Sequence, residues 1–302
     1  MTSPRLVRDL LHEAAQRLQA VHAADGIDDA RLQVELLYGL ATGLDRVHVI
    51  AAGADTAPPA AVEAFEVLMG RRLQHEPLAY ILGTREFFGM AFEVGPGCLV
   101  PRPETETLVE AALDAVKAHP SARRLVRVAD IGTGSGAIAL SVGQHSPNAK
   151  VFAVDVSTEA LQWASRNMRN FGLQDRVVLL AGDLAEPLSE PIDVLLANLP
   201  YVSTDEFEAL PAQIREREPR VAVEGGPDGV ELIARLAQQL DVHLAPVAAA
   251  IFEVGAGQIS WAEELVTHAL TEAGRSGLDV RYHRDLRGIR RVLEVRMGYP
   301  AG

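Results

Sequence analysis

The chain has 302 residues, of which 48% are hydrophobic and 23% are charged, and this composition excludes a largely disordered protein. Its formal net charge of −13 argues against a protein that holds long nucleic acids by their phosphates, although a local basic patch is compatible with an acidic total. The charge balance fits a basic protein partner better.

Cysteine and histidine usage argues against a disulfide or a metal site. Cys98 is the single cysteine, and the nine histidines show no His-Glu-x-x-His pattern. The longest apolar runs, such as 247–254, are far shorter than the ~18 residues that a membrane span requires. The amino terminus carries Arg5 and Arg8 and lacks the apolar core of a secretory signal. These features predict a reduced, cytoplasmic, metal-free protein, and nothing demands more than a monomer.

Residues 1–76 are predicted to form a small helical domain that recognises the substrate. Apolar residues recur at helical spacing from Leu6 to Leu18. Acidic residues after Gly26 begin a second predicted helix that runs to about Leu40. A third predicted helix follows two prolines and ends near Gln74.

The helical spacing ends before residue 77, and residues 77–103 are predicted to be a β-hairpin linker. The segment 86–94 alternates around Gly89, which predicts a short hairpin with its turn there. Pro101 and Pro103 then stiffen the chain, and helical spacing resumes over 104–118. The linker therefore predicts a hinge between two domains.

Residues 104–302 are predicted to form a doubly wound α/β domain, because strands and helices alternate along it. The predicted strands are Leu125–Ile131, Lys150–Asp155, Val177–Ala181, Ile192–Ala197, Val247–Val254 and a segment near Val292–Arg296. The predicted helices between them are Ala137–His145, Thr158–Phe171, Gly229–Leu240 and Gly257–Ala273. Residues 282–295 predict an extended pair that forms an antiparallel edge of the sheet.

A glycine-rich turn joins the first strand of this domain to its helix. Gly132, Gly134 and Gly136 let the backbone approach a ligand where a Cβ would block it, and Thr133 and Ser135 lie between them. Ligands of open parallel sheets bind at the carboxyl ends of the strands. The same glycine spacing also fits the dinucleotide-binding fingerprint, or a tight turn that binds no ligand. The turn by itself therefore does not identify a ligand. No Gly-Lys-Ser/Thr follows, which excludes a phosphate-binding P-loop.

Three acidic residues lie at or near the carboxyl ends of strands in the predicted sheet. Asp155 ends the second strand, where its two oxygens match the two ribose hydroxyls of either NAD or S-adenosylmethionine; the alternative is a helix cap. Asp130 precedes the glycine turn and either stabilises it or binds the cofactor's amino group. Asp183, beside Leu184, is a candidate acceptor for the adenine amino group or an exposed loop acid.

The tetrad Asn198-Leu199-Pro200-Tyr201 ends the fourth predicted strand beside the glycine turn. Asn and Pro are common in ordinary turns, so the tetrad gains meaning from the glycine turn and Asp155 that precede it. An amide or aromatic amino nitrogen is a poor nucleophile because its lone pair is delocalised. Such a nitrogen attacks a sulfonium methyl only if it is held with its lone pair directed at that methyl.

Two acceptors can hold the two N–H groups of such a nitrogen. One is the side-chain oxygen of Asn198, and the other is the carbonyl of Leu199, because Pro200 restricts the residue before it. Tyr201 can pack its ring against the flat amide. Positioning of this kind removes up to ~7–11 kcal/mol of a barrier in the best intramolecular cases. A dehydrogenase would need a hydride-accepting face and an acid, and the sequence offers neither at a clear spacing.

The motifs together resemble a known family. Asp130 to Gly136, Asp155 and the tetrad resemble class I methyltransferases that act on amino groups. Residues 85–89 and 99–106 resemble the linker and helix start of the peptide chain release factor glutamine methyltransferases, the PrmC/HemK family. Further motifs that match this family are Glu218-Pro219, Gly225 to Gly229, Glu253 to Gly255 with Gln258, and Asp285 to Gly288.

The resemblance implies a class I methyltransferase, Rossmann-like doubly wound sheet with a small amino-terminal helical bundle. It implies methyl transfer from S-adenosylmethionine, giving S-adenosylhomocysteine, to the glutamine N5 of the Gly-Gly-Gln motif in bacterial release factors. By position, the cofactor site takes Gly132 to Gly136, Asp155, Asp183, Leu184 and Asn198. Asn198 also contacts the glutamine, Leu199 to Tyr201 line its slot, and the amino-terminal helices hold the release factor.

The tetrad departs from the family pattern, which is usually Asn-Pro-Pro-Tyr, because Leu199 occupies the second position. The fixed φ of proline is lost there, and a role through the carbonyl is retained. Two alternatives stay open from the residues alone. One keeps the chemistry but places it on a ribosomal protein glutamine or a nucleic-acid adenine, and the other is a Rossmann module that binds NAD or senses a ligand.

Overall fold

The structure, a computed structural model, describes residues 5–120 and 125–299. Residues 1–4 of the predicted helical domain, and 121–124 and 300–302 of the predicted α/β domain, lie outside the described residues. The chain divides into two compact units. The first contains Met1–Thr84 and Pro211–Arg217, and the second contains Arg85–Leu210 and Glu218–Gly302. The sequence did not predict that Pro211–Arg217 belongs with the amino-terminal helices.

The described residues form helices and strands that follow the predicted order closely. The helices are α1 Val7–Ala20, α2 Ile27–Thr42, α3 Arg46–Ala51, α4 Pro59–Leu73, α5 Leu78–Leu82, α6 Glu106–Ala118, α7 Ala137–His145, α8 Thr158–Asn170, α9 Thr204–Glu208, α10 Ala212–Arg215, α11 Glu231–His243 and α12 Ile259–Glu272. The strands are β1 Thr84–Phe87, β2 Met90–Glu93, β3 Val126–Ile131, β4 Ala149–Asp155, β5 Val177–Ala181, β6 Ile192–Ala197, β7 Leu244–Glu253, β8 Asp279–Arg284 and β9 Arg290–Met297.

The first unit is a helical bundle around its own apolar core. α1 buries Leu10 and Leu18 on one face, as its helical spacing predicts. Tyr38 of α2 meets Phe65 of α4 edge to face, with ring centroids 5.6 Å apart. The predicted helical region is confirmed, and α5 adds a helical turn at the start of the segment predicted as a linker.

Arg72 joins Pro211–Arg217 to the helices of the first unit. Its side chain is 1% exposed, so its N–H groups require acceptors inside the protein. It donates to the side chains of Gln33 at 2.7 Å and Gln213 at 2.9 Å, and to the carbonyls of Glu76 and Ala23. Gln213 lies in α10, which explains why this short helix belongs to the first unit.

The second unit contains a seven-stranded sheet in the order β5-β4-β3-β6-β7-β9-β8. The first five strands are parallel, while β9 runs antiparallel to both β7 and β8. The doubly wound sheet and its antiparallel edge are therefore confirmed. The hairpin of β1 and β2 is also confirmed, and Phe88 and Gly89 form its turn with φ of +51° and +70°.

The centre of the sheet is buried on both faces. Every residue of β6 is buried, which is typical of a parallel strand covered by helices on both sides. The strand order reverses between β3 and β6, so their carboxyl ends border a crevice at a topological switch point. The glycine turn follows β3, and the tetrad follows β6. In the part of the chain that the structure describes, no helix is both long and apolar enough to cross a membrane.

Candidate active site

A cavity of about 350 Å³ lies at the carboxyl ends of the central strands. It is bordered by the two segments that the sequence singled out, the glycine turn and the tetrad. The predicted site residues that line it are Gly132, Thr133, Gly134, Ser135, Asp155, Asp183, Leu184, Asn198, Leu199 and Pro200. Residues far apart in sequence thus share one wall, as the switch-point geometry requires.

Gly136 and Tyr201 were predicted in the site but do not line this cavity. Gly136 precedes α7 with φ of +82°, a left-handed conformation that favours glycine there independently of any ligand. The main-chain carbonyl of Tyr201 accepts from Gln258 Nε2 at 2.9 Å. Burial raises the pKa of the Tyr201 phenol to about 12, which keeps it protonated near neutral pH.

Asp155 holds the glycine turn from the neighbouring strand. Its Oδ2 accepts from Gly134 N and its Oδ1 accepts from Ser157 N, both at 2.8 Å. The alternative role as the cap of α8 is wrong, because Ser157 caps that helix by accepting from Ala160 N at 3.2 Å. Each carboxylate oxygen retains a lone pair for a ligand hydroxyl, and Asp155 lines the cavity. Burial raises the pKa of its carboxyl group.

Asp130 stabilises the start of α7 from within the core. Its Oδ2 accepts from the Thr133 hydroxyl at 2.6 Å and from Ala139 N at 3.1 Å. The side chain is fully buried, and this burial raises its pKa to about 7. Among the described residues no donor reaches its Oδ1. The turn-stabilising alternative is therefore seen in the structure, and one oxygen is left for a further donor.

Asp183 and Leu184 form the rim of the cavity after β5. Asp183 forms an ion pair with Arg235, which also lines the cavity, so it is not an isolated loop acid. Leu184 is buried in the core and adopts φ of +48°, a left-handed conformation that is uncommon for leucine. The turn that presents these two side chains is thus held by packing.

Asn198 presents its two amide atoms to different partners. Its Nδ2 donates to the Thr105 hydroxyl at 3.1 Å, and its side chain lines the cavity. Within residues 5–120 and 125–299, no protein donor binds its Oδ1. The oxygen that the sequence assigned to the substrate is therefore available to accept a hydrogen bond.

Leu199 has a packing role that the sequence did not predict. Its side chain is 4% exposed and belongs to the core, and a Cβ on Gly132 would lie 3.2 Å from Leu199 Cδ2. The side chain thus holds the tetrad against the glycine turn. No hydrogen bond within the described part of the chain engages its carbonyl. That carbonyl remains a candidate second acceptor.

Gly225 and Gly229 brace the tetrad backbone. A Cβ on Gly225 would lie 2.4 Å from Pro200 O, and one on Gly229 would lie 2.3 Å from Tyr201 O. Gly225 N also donates to Val202 O at 2.8 Å. The glycines of this segment, which the sequence noted only by resemblance, are required because the backbone of the tetrad lies directly against them.

We expect Gly225→Ala to lower turnover at least about tenfold, because the new methyl displaces the carbonyl of Pro200 and the reactive geometry with it. It should also lower the free energy of unfolding by about 1–3 kcal/mol. Initial rates and urea unfolding measure the two effects. Gly70→Ala is the matched control, since a Cβ there meets nothing within 4 Å. Equal turnover in both variants would contradict the bracing role.

The sequence did not predict a role for two buried carboxyl groups of the second unit. Glu218, with its side chain 2% exposed, accepts from Arg102 at 2.6 Å, and Arg102 lines the cavity. Glu253, the last residue of β7, is 2% exposed, and the neighbouring Thr105 side chain partly opposes the rise in its pKa that burial causes. Resemblance to the family marked these segments, but no local pattern reveals contacts between residues more than a hundred positions apart.

Glu253 gives the stability a pH dependence of defined sign. Burial raises its pKa from 4.5 to about 7 in the folded state, so the folded protein binds the proton more tightly than the unfolded chain. Its contribution to the free energy of unfolding therefore falls as pH rises from about 4.5 to about 7 and is constant above. We expect the wild type to lose stability relative to Glu253→Gln across this window. If the free energy of unfolding changed equally with pH in the two proteins across this range, the assignment would be contradicted.

Comparison with known proteins identifies the class of this fold and site. Residues 110–226 match the family model of the methyltransferase small domain, which includes the glycine turn and the tetrad. Residues 9–83 match the model of the PrmC N-terminal domain. The second unit is therefore a methyltransferase domain.

The chain belongs to the release factor glutamine methyltransferase family. It is 40% identical to the release factor glutamine methyltransferase of Moorella thermoacetica over 83% of this chain and 86% of that protein. It is 37% identical to the one from Bradyrhizobium diazoefficiens over 94% of each chain. Among solved structures, the hMettl16 catalytic domain in complex with MAT2A 3′UTR hairpin 6 shares the fold, with a TM-score of 0.53 and 18% identity over 73% of this chain and 82% of that one.

Proposed function

We propose that this chain transfers the methyl group of S-adenosylmethionine to the side-chain amide nitrogen of a glutamine in a peptide chain release factor. The observation that carries the proposal is the availability of Asn198 Oδ1 and the Leu199 carbonyl beside a cavity fit for a nucleoside. The relatives at 34–40% identity are named release factor glutamine methyltransferases. The family resemblance places the glutamine in the Gly-Gly-Gln motif.

The cavity residues fit S-adenosylmethionine. Gly132 and Gly134 bring the backbone to the cavity without a side chain, and no atom lies within 4 Å of a Cβ built on Gly134. Asp155 would accept from the ribose hydroxyls, with its carboxylate fixed by two backbone N–H groups. Asp183 and Leu184 would border the adenine. Asp130 Oδ1 has no hydrogen-bond partner among the described residues. It would accept from the amino group of the cofactor only if that group reached it.

The protein contributes mainly by positioning. S-adenosylmethionine, when bound, supplies an electrophilic sulfonium methyl. Asn198 Oδ1 and the Leu199 carbonyl would accept the two N–H groups of the glutamine amide, which directs the nitrogen lone pair towards the cofactor side of the cavity. Pro200 restricts the backbone of Leu199 and so fixes the direction of its carbonyl. No strong general base is needed, because the alkylated nitrogen is acidic and loses its proton to water.

The amino-terminal residues 1–76 are proposed as the release-factor recognition domain, with residues 77–103 as the linker and 104–302 as the catalytic domain. The match of residues 9–83 to the PrmC N-terminal domain supports a role specific to this family. We further propose that the protein acts as a monomer on a protein substrate and does not bind nucleic acid directly. The acidic net charge of −13 supports a protein rather than a nucleic-acid substrate.

Labelled S-adenosylmethionine tests the proposal directly. The enzyme is incubated with a release factor and, in parallel, with the variant whose Gly-Gly-Gln glutamine is replaced by alanine. We expect label on the parent protein that survives nuclease treatment, and none on the variant. Label on the variant, or none on the parent, would overturn the proposed function.

A further inference from the structure

Two separate walls of the cavity are attached to the same helix, α8. One wall is the glycine turn, and the other is formed by residues 95–98, which follow β2 and contribute Gly97 and Cys98 to the cavity lining. Trp163 and Asn167 lie four residues apart in α8 and therefore project from the same face of the helix. Each of them binds one or both of the segments that form these walls.

Asn167 joins the glycine turn to β2 with every polar atom of its side chain. The residue is fully buried. Its Nδ2 donates to the carbonyl of Ser135 at 2.9 Å and to that of Glu93 at 3.0 Å, and its Oδ1 accepts from Glu93 N at 2.7 Å. Ser135 lies in the glycine turn and lines the cavity, whereas Glu93 is the last residue of β2. These contacts require an amide, because a carboxylate of the same size has no N–H to donate.

Trp163 holds the wall that follows β2. Its Nε1 donates to the carbonyl of Pro96 at 3.0 Å, and a Cβ on Gly95 would lie 2.5 Å from Trp163 Cζ2. The main chain of residues 95–98 therefore lies directly against the indole ring. The guanidinium of Arg166 packs over the same ring, with its Cζ 4.6 Å from the centroid.

These contacts fix the separation of the two walls, because both walls are held by one helix. A cavity whose walls are already in place binds its ligand without the cost of ordering them. Neither Trp163 nor Asn167 lines the cavity, so each acts through the main chain of the residues that do.

We infer that Asn167 and Trp163 are positioning residues that hold the glycine turn and residues 95–98 at the separation that S-adenosylmethionine requires. This inference rests on the proposed function, because it assigns the residues that fix the width of the proposed cofactor site.

Cys98 reports the position of the second wall without an added label. It is the single cysteine of the chain, it lines the cavity and it is 1% exposed. Burial raises the pKa of its thiol to about 12, so its alkylation is slow while residues 95–98 stay in place, because the thiolate is the reactive form. Displacement of this wall exposes the thiol and speeds the reaction.

Asn167→Leu tests the inference, because leucine is of similar size and forms no side-chain hydrogen bond. We expect the Kd for S-adenosylhomocysteine and the rate of Cys98 alkylation by iodoacetamide each to rise about tenfold under native conditions. The KM for the release factor should stay within about twofold of the wild type, because the lost contacts belong to the cofactor side of the cavity. Asn170→Ala is the matched control: exposed Asn170 binds only the side chain of Glu93, so neither quantity should change.

Trp163→Phe gives a second test that leaves the buried hydrogen bonds of Asn167 in place. Phenylalanine keeps a ring against Gly95 but loses the donor to Pro96, so we expect both quantities to rise about threefold. Leu270→Ala is the control for general loss of stability, because Leu270 is a buried core residue of α12. It should lower the melting temperature and leave both quantities unchanged.

Wild-type values of the Kd and of the alkylation rate in folded Asn167→Leu and Trp163→Phe would overturn the inference. Equal changes in Leu270→Ala would overturn it as well, because loss of stability alone would then explain them. A wild type that binds no S-adenosylhomocysteine overturns the proposed cofactor instead, and the inference falls with it.

Discussion

Asn198→Ala should lower turnover about 100- to 1,000-fold, the cost of removing one aligned polar group from a reacting centre. Asn198 lines the cavity, and no protein donor among the described residues binds its Oδ1, so the substrate amide is the partner that alanine would lose. The Kd for S-adenosylhomocysteine should change much less than turnover, because the glycine turn and Asp155 remain intact. Single-turnover rates with a release factor and calorimetry with S-adenosylhomocysteine measure the two quantities.

Asn170→Ala is the matched control for this variant. Asn170 is an exposed residue at the end of α8, where its side chain donates to Glu93 Oε1 at 2.7 Å. We expect it to retain wild-type turnover. If Asn198→Ala turned over the release factor as fast as Asn170→Ala, the acceptor role of Asn198 would be wrong.

Asp155→Ala should weaken the binding of S-adenosylhomocysteine about 100-fold or more. A hydrogen bond to a charged group contributes about 1.5–3 kcal/mol, and a carboxylate facing a ribose makes two. Alanine also removes the acceptors of Gly134 N and Ser157 N, which leaves the glycine turn less firmly held. Calorimetric titration of the wild type and the variant with S-adenosylhomocysteine measures the change.

Asp175→Ala serves as the control, because Asp175 is exposed in the segment before β5. It should leave the affinity unchanged. A Kd for S-adenosylhomocysteine that is the same in Asp155→Ala and Asp175→Ala would contradict the assignment of Asp155 to the ribose. Binding of NAD in place of S-adenosylhomocysteine by the wild type would contradict the cofactor itself.

The sheet was predictable because its strands are short, apolar and regularly separated. The ends of β3, β5 and β6 lie within one residue of the sequence prediction, since each strand is bounded by polar or glycine residues. The short helices α3, α9 and α10 were not predicted, because four to six residues carry too little periodicity to be distinguished from turns.

The candidate site was predictable where its residues are contiguous in sequence. The glycine turn and the tetrad each lie within one short segment, and the switch-point rule places both at one edge of the sheet. Long-range contacts were not predictable, because no local pattern connects Asn198 with Thr105, or Pro200 with Gly225. Gly136 and Tyr201 show the converse, since both belong to the motifs and neither lines the cavity.

Leu199 illustrates how the structure refines a departure from a motif. The sequence left its side chain without a role and relied on the carbonyl. The structure places the side chain in the core against Gly132, so leucine contributes packing where proline would contribute a fixed φ. The carbonyl stays available in either case, which is the property that the proposed chemistry requires.

The Asn198 tetrad is proposed to align a glutamine amide nitrogen for methylation. Tandem mass spectrometry of a release factor treated with the enzyme and S-adenosylmethionine tests it most directly, because it reports both the mass added and the atom group that carries it. We expect one methyl group on the side-chain amide of the Gly-Gly-Gln glutamine, and about 100- to 1,000-fold slower formation of that product with Asn198→Ala. A methyl group on any other residue, or an unmodified glutamine in the presence of active enzyme, would contradict it.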